Sequence, residues 1–236
     1  VKLAVGCPIY ERAWVLPSWL ERLKPWSEHA DLTLVFVYTP SQDATRDLIE
    51  EVDFAKTVVH TVSAGTHSTQ RNWGDAGRIK TLAALRNDLL DAVTALQPDL
   101  FLSLDSDILA CSWEELQILI GDLGYFDAVA PLVMLSKNGT TSNAFYQRVP
   151  GGSRRRVKTF YDVPMPVDVI CAAKLMHQEV FSRMDVMYRY HPAGEDIYWS
   201  NRMHESGYSI ALDPRVKMKH IMGPDQLDKV DDRVGW

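Results

Sequence analysis

Apolar and polar positions along the chain switch repeatedly between two rhythms. Lys2 to Val5 and Leu32 to Tyr38 are short apolar runs of strand type, and Lys56 to Val62 is β-branched. Between them, Ala13 to Leu23 places Trp14, Leu16, Leu20 and Leu23 on one helical side, and Ala44 to Glu51 forms a second helix after a turn at Thr39 to Asp43. Ile79, Leu82, Ala83, Leu85, Leu89, Leu90 and Val93 recur at helical spacing, which predicts a helix over Arg78 to Leu96 that Pro98 closes. Leu100 to Leu104 follows as an apolar strand. Strand-helix alternation of this kind implies a mostly parallel sheet flanked by helices, with ligands gathering beyond the carboxyl ends of the strands.

The second half is less regular. A helix is expected over Trp113 to Ile120, strands over Ala128 to Leu135 and Val167 to Ala173, a helix over Ile197 to His204, and short strands over Ser209 to Leu212 and Val216 to Lys219. The stretch 136–162 has no clear period and is rich in Gly, Asn, Ser, Arg and Lys, so it is expected to be a mobile functional loop. No repeat or linker divides the 236 residues, which suit one α/β domain.

Composition removes several function classes. The net charge of -6 is wrong for a protein that must bind nucleic-acid phosphates, so no nucleic-acid partner is expected. No apolar run has the length of a membrane span. Cys7, Cys111 and Cys171 are scattered and odd in number, which points to a reducing compartment, the cytoplasm, over a disulfide framework. The chain opens on VKLAVGCPIY without an initiator Met, which leaves room for a removed leader or anchor.

Three constellations could carry chemistry. In LFLSLDSDIL, Asp105 and Asp107 end a buried strand two residues apart, so in extended backbone both carboxylates point to one side. Hard cations such as Mg²⁺ or Mn²⁺ take oxygen ligands of this kind, often shared with substrate phosphates. A helix cap plus a solvated aspartate is the bland alternative, and DxD alone is a weak signal. Glu195-Asp196 precedes the predicted helix at Ile197, where acidic residues either cap the helix or act as a general base. His220 ends a strand-like segment and becomes a third ligand candidate beside the DxD, whereas the other six histidines lack such context.

Other segments have contact potential. Ser41, Asp43 and Thr45 in TPSQDAT suit either an Asx-type turn or a ligand contact. Arg86-Asn87 lies within the long helix, where Arg86 reaches a diphosphate or pairs with Asp88 or Asp91. The run Arg154-Arg155-Arg156-Val157-Lys158 is either a solvated loop or a clamp over an anion.

In this order the motifs resemble those of GT-A fold glycosyltransferases, family 2 type, over nearly the whole chain. CPIYERAWVLPSWLERL is similar to that family's first strand, Pro-x-Tyr turn and helix, and PSQDAT to its Ser-x-Asp-x-Thr turn. AALRNDLL with LFLSLDSDIL resembles its Arg-Asn helix and DxD strand, GEDIYWSNRMHESGY its Glu-Asp helix, and VKMKH its closing strand and histidine. Glu11 stands where the family commonly has Asn, and the Gln-x-x-Arg-Trp motif of processive synthases is absent, which implies transfer of a single sugar.

The resemblance implies a single domain with a nucleotide-sugar-binding half over 1–110 and an acceptor-binding half over 111–236. It implies Mn²⁺ or Mg²⁺ and a nucleotide-diphosphate sugar as donor, held by Asp107, with Asp105 on ribose or a metal-bound water and His220 as a further ligand. Pro8, Tyr10 and Asp43 would lie near the base, and Arg86 near the base or diphosphate. Asp196, or Glu195 beside it, would serve as base in an inverting transfer, hexosyl by preference, to an acceptor of unknown kind. The rival on the same architecture, a nucleotidyltransferase making nucleotide sugars, calls for a Gly-rich loop that GCPIYER does not match. A non-catalytic sugar- or nucleotide-binding module would be marked by loss of the DxD or the Glu-Asp pair, and both are present.

Overall fold

Alternate residues of the first strand, β1 (Lys2–Ile9), enter two different cores: Leu3, Val5, Cys7 and Ile9 face one side of the sheet and Ala4 the other. The computed structural model describes residues 1–63, 75–135, 146–148, 154–183 and 185–229. In chain order the elements are β1, α1 (Leu16–Leu23), β2 (Asp31–Tyr38), α2 (Thr45–Glu50), β3 (Lys56–Thr61), α3 (Ala76–Leu96), β4 (Leu100–Leu104), β5 (Ile108–Leu109), α4 (Trp113–Asp122), β6 (Ala128–Leu135), β7 (Tyr146–Arg148), β8 (Arg154–Arg156), β9 (Met165–Pro166), β10 (Ala173–His177), α5 (Gln178–Phe181), α6 (Glu195–Glu205) and β11 (Ile210–His220).

The main sheet has the order β3-β2-β1-β4-β10-β6-β11-β5, with β9 also on β11. Strands β1 to β4, β6 and β11 run in one direction; β10, β5 and β9 run against it. This is the mixed α/β, mostly parallel sheet that the alternation predicts. One face is covered by α1 and α4, which bury Trp19, Leu23, Leu116 and Leu119. The other is covered by α3, α5 and α6, which bury Leu89, Val93, Phe181 and Trp199. Close approach of α3 depends on Gly6, because a Cβ there would lie 2.6 Å from the Val35 carbonyl oxygen and 2.9 Å from Leu89 Cδ1.

Four expectations are corrected. The strand expected at Val167 to Ala173 is instead β10, beginning at Ala173, where it pairs with Leu104. Val167, Val169 and Ile170 are buried, but Ala172 adopts a left-handed φ of 71° that turns the chain, so the ladder starts only after it. The two short strands expected at the end are one, β11, with a register shift between Asp213 and Lys217. Helix α1 starts at Leu16, after a turn over Ala13 to Val15. The stretch read as one loop contains β7 and β8, which pair with each other. Its residues 136–145 and 149–153 lie outside the described residues.

The feature that positions the site is the path after β4. The chain leaves the middle of the sheet, passes through Asp105-Ser106-Asp107, and pairs as β5 with the far end of β11, Ile108 opposite His220. Asp105 N–H donates to the Ala172 carbonyl at 3.1 Å, and Ile221 N–H to the Asp107 carbonyl at 2.8 Å. The aspartate turn is thereby stitched between the start of β10 and the end of β11. Among the described residues no helix is long and apolar enough to cross a membrane.

Candidate active site

Beyond the carboxyl ends of β1 and β4 lies an open cavity of about 540 Å³, a size that suits a small ligand. Pro8, Arg86, Asp105, Asp107, Glu195, Asp196 and His220 all line it. Residues from opposite ends of the sequence are thus brought to one place. Tyr10 and Asp43 are not among the lining residues.

Arg86 is the hub. It is carried on α3, whose N-terminus is capped by Asp75 accepting from Arg78 N–H at 2.7 Å. Its Nη2 donates to Asp105 Oδ1 at 2.9 Å and its Nε to Glu195 Oε1 at 3.1 Å, with Asp196 Oδ1 at 4.0 Å. Of the two readings open for Arg86 in the sequence, pairing with Asp88 or Asp91 on its own helix is not the one these contacts follow. Neighbouring Asn87 clamps the segment before α6, donating to the Tyr188 carbonyl at 2.9 Å and accepting from Tyr188 N–H at 2.8 Å.

Glu195 and Asp196 open α6, and Gly194 is its N-cap, so the pair occupies the first turn without a side-chain cap bond. The carboxylates are spent on cations of other elements instead. Asp196 accepts from Lys174 Nζ and from Ala172 N–H. Lys174, on β10, is fully buried, and its ammonium also lies 5.1 Å from the Tyr188 ring centre and 5.2 Å from that of Trp199. A lysine taken wholly out of water requires such pairing. Lys174 was not legible in the sequence, where one basic residue in CAAKLMH reads as an exposed position.

Electrostatics separate the carboxyl groups. Burial alone would raise the pKa of Asp196, but Lys174 and then Arg86 outweigh it and hold the group below its ordinary range. Glu195 moves the other way, raised by burial and by Asp196 against the pull of Arg86. Asp105 is raised, chiefly by burial, with Arg86 opposing. For Asp107 burial is outweighed by the hydrogen bond and charge of His220 and by Arg12, and its pKa is lowered.

The two aspartates of the DxD therefore do different things. Asp105 is turned to Arg86, whereas Asp107 Oδ1 lies 3.5 Å from His220 Nε2 and its Oδ2 3.5 Å from Arg12 Nη2. Among the described residues no group of three or more His, Cys, Asp or Glu side chains is arranged to hold a metal ion. Asp107 and His220, both on the cavity wall, bring an oxygen and an imidazole nitrogen to 3.5 Å of one another. That donor set fits Mn²⁺ better than Mg²⁺, provided ligand or water oxygens complete the shell.

Asp43 acts in the loops below. Its carboxylate accepts from Ser41 Oγ at 2.7 Å, Ala13 N–H at 3.0 Å and Thr45 N–H at 3.3 Å, binding the turn after β2 to the turn after β1. These bonds outweigh its burial and lower its pKa. The same joint fixes Arg12, whose N–H donates to the buried Thr45 Oγ1 at 2.8 Å. Arg12 also lines the cavity and is a second residue that sequence reading missed. The side chains of Arg154, Arg155 and Arg156 lie outside the described residues.

No protein-family model and no curated protein matches the chain. Solved structures do match. TarS of S. aureus superposes with a TM-score of 0.62 at 15% identity, over 96% of this chain and 38% of that one. GalNAc-T7, solved with UDP, GalNAc and Mn²⁺, gives 0.61 at 12% identity, over 94% and 44%. The mannosyltransferase PcManGT of Pyrobaculum calidifontis, in complex with GDP-Man and Mn²⁺, gives 0.56 at 15% identity, over 94% and 57%. The chain spans well under two thirds of each of these three. With its curled, mostly parallel sheet, its helices on both faces and its cavity at the strand ends, the chain has the GT-A fold of nucleotide-sugar glycosyltransferases.

Proposed function

We propose that the protein is a glycosyltransferase that moves one sugar, a hexosyl unit, from a nucleotide-diphosphate sugar to an acceptor hydroxyl with inversion at C1. One observation carries this reading: Asp105, Asp107, Glu195, Asp196 and His220 converge through Arg86 and the curled sheet on one cavity of the GT-A fold. Residues 1–110 then form the nucleotide-sugar half, with Pro8, Tyr10 and Asp43 on the base side, and residues 111–236 the acceptor half. The free cysteines Cys7, Cys111 and Cys171 suit the cytoplasm.

In the reaction the bond from C1 to the diphosphate breaks while a bond from C1 to the acceptor oxygen forms. The acceptor's proton passes to a carboxylate, and the nucleoside diphosphate leaves. Asp196 suits the base role, because Lys174 keeps it ionised and oriented at the cavity wall. Glu195 holds Arg86 in place beside Asp105, which would contact the ribose of a bound donor or a water on the metal. Asp107 and His220 would hold Mn²⁺ or Mg²⁺ together with donor oxygens; the ion, when bound, neutralises charge growing on the leaving diphosphate.

The test is a thermal-shift screen of UDP, GDP and other nucleoside diphosphates with and without Mn²⁺, since a ligand of the folded state raises its apparent stability. A Mn²⁺-dependent rise that disappears in Asp107→Ala is expected. With the nucleotide identified, Asp196→Asn should bind the donor and fail to transfer its sugar. An Asp107→Ala protein with the full Mn²⁺-dependent rise, or an active Asp196→Asn enzyme, overturns the respective assignment.

A further inference from the structure

Of the cations around the cavity, two are held by carboxylates at good hydrogen-bond distance, although Nη1 of Arg86 finds no partner among the described residues. Arg86 serves Asp105 and Glu195 at 2.9 and 3.1 Å, and Lys174 serves Asp196. Arg12 is held differently. Glu11 adopts a left-handed φ of 50°, an unfavourable conformation for a side-chain-bearing residue, and the reversal directs the next residue back toward the strand ends. The backbone there is rigid. Arg12 N–H is tied to Thr45, Ala13 N–H to Asp43, and the Arg12 carbonyl accepts from Val15 and Leu16 N–H at 3.0 and 2.9 Å.

The guanidinium itself is loosely engaged. Nη1 lies 3.4 Å from the Tyr10 and Glu11 carbonyls, and Nη2 3.5 Å from Asp107 Oδ2, all longer than the roughly 2.7–2.9 Å of a good charge-assisted bond. Nε is buried and finds no hydrogen-bond partner among the described residues. A strained turn, a pinned backbone and an under-used planar cation on the cavity wall are what oxyanion recognition requires.

We propose that Arg12 is the protein's own cation for the diphosphate of the donor, a positioning and specificity residue that exchanges Asp107 for a phosphate oxygen. This rests on the nucleotide-diphosphate reading above and adds to it that diphosphate is recognised even without a divalent ion. Asp107 competes for Arg12 in the free protein, so removing the Asp107 carboxylate strengthens diphosphate binding in the absence of metal. Simple damage to the site would not produce that sign.

The experiment is calorimetric titration of UDP, GDP, UMP, GMP and inorganic pyrophosphate in EDTA, repeated with Mn²⁺, on wild type, Arg12→Gln, Arg12→Lys and Asp107→Ala. In EDTA the wild type should prefer a nucleoside diphosphate over its monophosphate by about tenfold or more, the scale of one charge-assisted bond. Arg12→Gln should lose that preference, Arg12→Lys should keep part of it, and Asp107→Ala should exceed the wild type. Equal diphosphate affinity in wild type and Arg12→Gln overturns the proposal, as does wild-type binding confined to Mn²⁺, and both results leave the donor reading standing. If wild type binds no nucleoside diphosphate under either condition, the proposal and the donor reading fall together.

Discussion

Arg86 and Arg215 are each the centre of a cluster of acidic residues, yet one belongs to a site and the other to the scaffold. Arg215 Nη2 donates to Asp122 Oδ1 and Oδ2 at 3.0 and 3.1 Å and to Asp213 Oδ2 at 2.6 Å, while its Nε reaches both Asp213 oxygens at 3.0 Å. The contacts close on one another and fasten the end of α4 to the irregular point of β11, and none of the three residues lines the cavity. Arg86 is almost wholly buried, its side chain 6% exposed against 35% for Arg215. Its Nη1 has no partner among the described residues, and its carboxylates face open space. Charge clustering alone therefore does not mark chemistry. Incomplete satisfaction at a cavity wall does.

Substitution at the two hubs separates them most sharply. Arg86→Met strands the buried Glu195 carboxylate and the part-buried Asp105 and should cost about 3 kcal/mol in urea unfolding, whereas Arg215→Met, at a part-exposed site, should cost only about 1 kcal/mol. Equal losses would erase the distinction.

Lys174→Met comes next, at about 3 kcal/mol near neutral pH, because Asp196 loses its principal counter-charge. The folded-state pKa of Asp196 lies below its ordinary 3.8, so its stabilisation is present above that value and is lost as pH falls through the folded pKa. The gap between wild type and Lys174→Met should therefore be widest at pH 7 and narrow below about pH 4. Urea unfolding at about pH 7, 4 and 3 measures it, and a gap that stays constant down to the lowest of these would mean that only packing was lost.

The smallest effect belongs to the scaffold cluster. Burial and Asp213 raise the Asp122 carboxyl from 3.8 to about 6 against the pull of Arg215. A raised carboxyl stabilises the fold below its unfolded value, and that contribution is lost as pH climbs through the folded one. Between pH 4 and 7 the stability of Asp122→Asn should thus gain on the wild type by roughly 1–3 kcal/mol. Parallel pH profiles of the two proteins would refute the shift.

Much of the fold was legible in advance because it rests on local rhythm. The strands at Leu32 and Leu100 and the helix from Arg78 were readable from their apolar spacing, as were the elements near Trp113, Ala128 and Ile197. The strand around Lys174 was misplaced for a physical reason. The apolar-rich run Val167 to Ile170 looks like a strand but makes only an isolated bridge at Val169, and the true strand carries a charge at a core position. Asp107, Glu195, Asp196 and His220 could be nominated individually, since strand ends and helix starts are visible in sequence. Lys174 and Arg12 gave no local signal.

What the chain alone determined was the set of amphipathic segments and the acidic residues at their ends, because burial periodicity depends on neighbours a few positions away. Which charges meet was decided by tertiary structure. Arg86 and Glu195 are 109 residues apart, and Lys174 and Asp196 are 22 apart on different elements. Asp107 meets His220 only because the sheet curls and brings β5 to the end of β11. Ion pairing in a low-dielectric wall is set by distances of a few ångströms, and sequence separation carries no information about them.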